Sequence, residues 1–130
     1  MLSLTLLVPV LNESALLDEF MVKTTHDLSD GGLFMSLLES SMVNGLGFEI
    51  TCDKSVRCDA FLFGEAQSRV LVSVSASKVS DLEAELKKQG VSFTKLGTVK
   101  GKDLVIDGTN YGAVNDFKKS FDTSIENVLA

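Results

Sequence analysis

Two short stretches hold most of the residues that could do chemistry. The first is Thr25-His26-Asp27-Leu28-Ser29-Asp30-Gly31-Gly32-Leu33, which gathers two carboxylates, a serine hydroxyl and the only histidine of the chain into a loop ending in paired glycines. Paired glycines let backbone approach backbone or ligand closely. Ser29 or Asp30 can cap the helix that should follow, so exposed N–H groups and the positive end of the helix dipole meet there. That is the equipment of an anion or nucleotide-phosphate site, and the same residue types also make a capped turn with a solvated acidic face. Asp27 and Asp30 are hard oxygen ligands that suit Mg²⁺, which keeps water and binds through one or two carboxylates plus phosphate. The second stretch, Gly64-Glu65-Ala66-Gln67-Ser68-Arg69, sets an acceptor, an amide, a hydroxyl and a guanidinium just ahead of a strand-like run. Sites in α/β folds often collect their polar groups at such a place. The fork of Arg69 serves either to hold a phosphate or to pair with a local carboxylate.

Nucleophilic catalysis is harder to place. Cys52 or Cys58 would have to meet His26 across the fold, and the serines have no second histidine to choose from. With two cysteines, one histidine and no C-x-x-C, neither a disulfide framework nor an ordinary zinc site is expected. The cysteines read as reduced, partly buried thiols of a cytosolic protein, and no metal ligands are assigned.

The elements that must position these residues follow from patterning. The chain has 130 residues, 45% of them apolar, enough for one core and too few for two ordinary domains. A net charge of −6 without a basic run argues against nucleic acid or an anionic membrane as partner. Met1 to Leu11 is apolar but about half the length of a membrane span, and it lacks the basic start and cleavage site of a signal peptide. It reads as a strand whose Pro9 suits a sheet edge or a strand end. Helical spacing predicts a helix over about 12–23 and a second over about 31–44, closed by Gly45. Gly47 to Thr51 alternates like a strand, and Asp53 to Asp59 is turn-like, leading to a loop or short helix. Val70 to Ser75 is the clearest strand, with Val70, Val72 and Val74 on one face. Ser80 to Gln89 is a run of helix formers with Leu82 and Leu86 inward. Strands at Val91–Val99 and Lys102–Ile106 are expected to form a hairpin through Lys100-Gly101. Val114 to Leu129 predicts a packed C-terminal helix. The order implies an α+β fold, a mostly antiparallel sheet in a layered α/β/α arrangement.

The motifs His26-Asp27-Leu28-Ser29-Asp30-Gly31-Gly32-Leu33, Phe63-Gly64-Glu65-Ala66-Gln67-Ser68-Arg69-Val70 and Lys95-Leu96-Gly97-Thr98-Val99, in that order and spacing, resemble the C-terminal module of the phosphoribosylformylglycinamidine synthases. These belong to the aminoimidazole ribonucleotide synthetase superfamily, with selenophosphate synthetase, thiamine monophosphate kinase and a hydrogenase maturation factor. The resemblance covers roughly residues 24–129. It implies part of an ATP- and Mg²⁺-dependent ligase of de novo purine synthesis, which converts formylglycinamide ribonucleotide to its amidine. Phosphate from ATP activates the amide oxygen, and ammonia delivered from glutamine displaces it.

The implied partners are the N-terminal nucleotide-binding domains of the same enzyme and a glutaminase, fused or separate; both lie outside these residues. Residues 1–130 are then one domain, inactive alone and holding neither ATP nor Mg²⁺ tightly. His26, Asp27, Ser29, Asp30, Gly31 and Gly32 would form a substrate- or phosphate-facing loop, supported by Glu65, Gln67, Ser68 and Arg69. A homodimer and a cytoplasmic location are further expectations. Two alternatives stay open: a structural module for interdomain association, and a related synthetase or kinase, against which the Gly-Glu-x-Gln-Ser-Arg stretch argues.

Overall fold

The computed structural model describes the backbone of residues 2–8 and 24–129 and the side chains of residues 27–129. The helix expected at 12–23 lies outside the described residues. Among them the order is β1 (Leu2–Val8), β2 (Thr24–Asp27), α1 (Gly32–Asn44), β3 (Phe48–Ile50), α2 (Cys58–Phe63), β4 (Val70–Ser75), a 3₁₀ turn (Ala76–Lys78), α3 (Val79–Lys88), β5 (Ser92–Val99), β6 (Asp103–Ile106), β7 (Thr109–Ala113) and α4 (Val114–Leu129). The strands form one seven-stranded sheet in the order β2-β4-β1-β5-β3-β6-β7. Every pairing is antiparallel except β3 with β6. The expected α+β class and mostly antiparallel sheet are therefore borne out.

Helices cover both faces because β4 alternates. Val70, Val72 and Val74 pack against Leu82 and Leu86 of α3, one helical turn apart. Leu71 points the other way, into a larger core built on Leu33, Leu37 and Leu38 of α1 and Phe61 and Leu62 of α2. Leu33, Val72 and Val74 are wholly excluded from water, and each such aliphatic side chain contributes about 1.5–3 kcal/mol of burial free energy. α1 stops where expected: Gly45 takes a left-handed conformation, φ 63, and its N–H donates to the Ser41 carbonyl.

Three expectations change. β1 is interior, flanked by β4 and β5, so of the two places expected from Pro9 the sheet edge is excluded, while the strand ends at Val8, one residue before the proline; the edges among the described strands are β2 and β7. Strands β5 and β6 are not a hairpin, because β3 slots between them: the Gly47 N–H donates to the Gly101 carbonyl at 2.9 Å and the Lys100 N–H to the Gly47 carbonyl at 3.0 Å. A Cβ on Gly47 would stand 2.2 Å from the Asp103 carbonyl oxygen, so only glycine admits the strand there. The hairpin is instead β6–β7, turned at Asp107-Gly108. Finally, α4 has the expected length but is packed only at its start. Val114 is 1% exposed and Phe117 rests on the core, whereas Phe121, Ile125, Val128 and Leu129 are exposed. The apolar spacing is there, but that face of the helix is left exposed after Phe117.

Candidate functional site

The sheet itself brings the two motifs together. β2 pairs antiparallel with β4, Asp27 opposite Val70, so the first motif leaves the sheet where the second enters it. The Leu28 N–H carries the pairing one step further, donating to the Arg69 carbonyl at 3.0 Å. The Gly31 N–H then donates to Glu65 Oε1 at 2.9 Å, across 34 positions of sequence.

That bond replaces the expected cap. Gly31 is the N-cap of α1 at φ 80 and makes no side-chain capping bond of its own. Ser29 contributes only its backbone carbonyl, which accepts from the Gly32 N–H at 3.0 Å. Consecutive left-handed glycines turn the Gly31 amide toward residue 65, and the carboxylate that meets the positive end of α1 comes from the second motif. Gly32 completes the join. At φ +66 its missing Cβ would stand 2.7 Å from the Gly64 carbonyl oxygen and 2.8 Å from the Phe63 carbonyl carbon. Phe34 and Phe63 flank the junction with ring centroids 5.4 Å apart.

The remaining motif residues fall as follows. Asp27, Ser29 and Asp30 are exposed, as are Glu65, Gln67 and Ser68. Ser68 sits at φ 61, a left-handed conformation that ordinary residues seldom adopt. Arg69 fastens its own loop: its Nη2 donates to the Gly64 carbonyl and its Nε to the Ala66 carbonyl at 3.2 Å. The backbone of His26 pairs with Leu71; its side chain lies outside those described.

Patterning gave no sign of a second cluster. Cys52 Sγ and Cys58 Sγ are 2.8 Å apart, and Asp107 of the β6–β7 turn joins them, all three within 4.8 Å. Asp107 Oδ1 accepts from the Cys52 N–H at 3.0 Å and Oδ2 pairs with Lys54 Nζ at 2.9 Å. The Lys54 ammonium, followed by the Cys52 N–H, holds the Asp107 carboxyl below its usual range. The C-x₅-C spacing across a turn was legible; the arrival of Asp107 from 49 positions beyond Cys58 was not. A shallow groove of about 200 Å³ near Phe48, Lys100 and Asp103 contains no motif residue.

Fold and joined motifs define the class, an α/β/α module of the aminoimidazole ribonucleotide synthetase type. The chain belongs to the family described as AIR synthase related protein, C-terminal domain, whose model matches residues 2–107. It is 40% identical over 92 residues to phosphoribosylformylglycinamidine synthase subunit PurL of Caldanaerobacter subterraneus, a match that covers 71% of this chain and 13% of that protein. The chain thus spans about an eighth of the length of that curated relative. Among solved structures, Thermotoga maritima PurL complexed with AMPPCP superposes with a TM-score of 0.71 at 15% identity, over 88% of this chain and 25% of that one. PurLQS from the same organism superposes with a TM-score of 0.67 at 15% identity, over 87% and 25%. At these identities the structural likeness concerns the fold.

Proposed function

We propose that the chain is one module of a phosphoribosylformylglycinamidine synthase, contributing a wall of the cleft in which formylglycinamide ribonucleotide is amidated at the expense of ATP. The observation that carries the reading is the Gly31–Glu65 hydrogen bond: it makes a single surface of the two motifs on which the resemblance to that enzyme rests, and the 40% identity over 92 residues to a PurL subunit supports the same reading. On that surface Asp27, Ser29 and Asp30 stand exposed beside the glycines.

The charge pattern says what such a wall can hold. The N-cap amide of α1, that of Gly31, already has a carboxylate on it, and two more carboxylates stand on the same loop, so a bare phosphate would meet repulsion. A hydrated Mg²⁺ fits better, with Asp27 and Asp30 as its oxygen donors and the remaining ligands supplied by waters and by phosphate held elsewhere. When bound, the metal would screen the charge of the transferring phosphoryl group. This supports a module that holds neither ATP nor Mg²⁺ tightly alone and works against the nucleotide-binding domains of a longer protein, with ammonia drawn from a glutaminase domain or subunit in the cytoplasm. PurLQS among the solved relatives supports a dependence on partners.

The test is Asp27→Asn combined with Asp30→Asn in a full-length ligase carrying this module. The reading expects amidine formation to fall by roughly tenfold or more with assembly intact. A second reading, that the module serves chiefly for association, is favoured by the exposed Phe121, Ile125, Val128 and Leu129 on α4. It expects the reverse: unchanged turnover in the double variant and lost assembly when Ile125 is replaced by Asp.

A further inference from the structure

We infer that Cys52 and Cys58 form a redox-sensitive dithiol, which a low-molecular-weight disulfide closes into an intramolecular disulfide. The loop between them folds back on itself: the Ser55 N–H donates to Asp53 Oδ1 at 2.8 Å and the Val56 N–H to the Asp53 carbonyl at 3.2 Å. Asp107 clamps the Cys52 amide from the far side. The Cys52 end of the loop and its turn are thereby fixed, and the sulfurs stand 2.8 Å apart, already inside the van der Waals separation of two sulfur atoms and short of a bond of about 2.05 Å.

A metal fits this arrangement less well. Two thiolates on one tetrahedral ion with bonds of about 2.3 Å sit roughly 3.8 Å from each other, and both oxygens of the third candidate ligand, Asp107, are engaged by the Cys52 N–H and by Lys54.

The two cysteines divide the work by exposure. Cys58 is exposed and Cys52 is 4% exposed, so Cys58 meets the oxidant. Burial first, then Cys58 and Asp107, push the Cys52 thiol up to about 12, which keeps it protonated until its partner has reacted. The Cys58 thiolate attacks one sulfur of the small disulfide; that S–S bond breaks, a small thiolate leaves, and a mixed disulfide forms. Cys52 Sγ then attacks Cys58 Sγ, the mixed bond breaks, and the second small thiolate leaves with the Cys52 proton. Two protein thiols and one disulfide give one protein disulfide and two small thiols, the electron pair passing to the small molecule. The closed ring would fasten the start of α2 to the end of β3. Since α2 leads directly into Gly64-Glu65, oxidation would stiffen the support of the second motif.

The full 130-residue chain is equilibrated with reduced and oxidised glutathione, folded and in guanidinium, and the species are trapped with iodoacetamide and weighed. The expected result is a monomer lighter by two hydrogens, with neither cysteine alkylated, restored by dithiothreitol. Its equilibrium constant should be roughly tenfold or more above that in guanidinium, and by linkage the oxidised chain melts roughly 5 °C higher. Replacing the exposed Cys58 (C58S) abolishes closure without loss of fold. An equilibrium constant no larger than in guanidinium overturns the inference. So does a disulfide between two chains, or a one-to-one Zn²⁺ complex that shields both thiols with no S–S bond formed.

Discussion

Replacing Gly32 with Ala probes the junction on which the site depends. At φ +66 a side chain pays the left-handed cost of about 1–2 kcal/mol. The new Cβ would also stand 2.7 Å from the Gly64 carbonyl oxygen, 2.8 Å from the Phe63 carbonyl carbon and 2.9 Å from the Leu62 carbonyl oxygen. These are backbone atoms, which cannot swing aside, and forcing them apart adds about 1–3 kcal/mol. Restricting the unfolded chain returns about 0.4–1 kcal/mol, so the net loss should be about 1–5 kcal/mol, centred on about 3 kcal/mol. Gly90 supplies the control: its φ is +70 and nothing lies within 4 Å of its missing Cβ, so Gly90→Ala should cost only about 1 kcal/mol. Urea denaturation followed by helical circular dichroism, with the slope unchanged, reads both losses. If Gly32→Ala costs no more than Gly90→Ala, the two motifs are not pressed together as described.

Two further outcomes follow from the same geometry. Glu65→Ala removes the acceptor from the Gly31 amide at the N-cap of α1 and should destabilise the chain by about 1 kcal/mol, while Glu65→Gln, which keeps an acceptor oxygen, should cost roughly half of that; no loss in urea for Glu65→Ala would show that the bond contributes nothing. The reduced chain should also lose stability at alkaline pH. Below pH 9.0 the Cys52 thiol is protonated in both states; between there and about 12 the unfolded chain ionises while the folded one does not, so stability declines across that window. Denaturation midpoints measured over the window in reductant should show the decline in the parent and a flatter profile in Cys52→Ala.

The parts of the fold with strong apolar periodicity could be read from sequence, and the parts held by backbone pairing could not. β4 and α3 announce themselves through alternating valines and through Leu82 and Leu86, and α1 through a broad leucine stripe and Gly45. β2 hides in a polar loop because an edge strand paired through Thr24–Asp27 needs no apolar face. β7, Thr109–Ala113, is polar, contains a glycine and is likewise an edge. The false β5–β6 hairpin has the same cause: nothing local in Lys100-Gly101 records that β3 inserts there.

At the site, Glu65 and the paired glycines were singled out by residue type, but the sharing of a cap between them depends on register between β2 and β4. The bonds of Arg69 to the Gly64 and Ala66 carbonyls were not legible in its residue type, because a guanidinium serves carbonyls as well as carboxylates and phosphates. The dithiol needed both a folded loop and a turn from the far end of the sheet.

The most direct test exchanges this chain for the corresponding module of the Caldanaerobacter PurL subunit and measures ATP-dependent amidine formation from formylglycinamide ribonucleotide with ammonia as nitrogen donor. The account predicts turnover by the exchanged enzyme, its loss in the combined Asp27→Asn and Asp30→Asn variant, and none from the 130-residue chain by itself. A folded, assembled exchange that is inactive, or one indifferent to both aspartates, would contradict it.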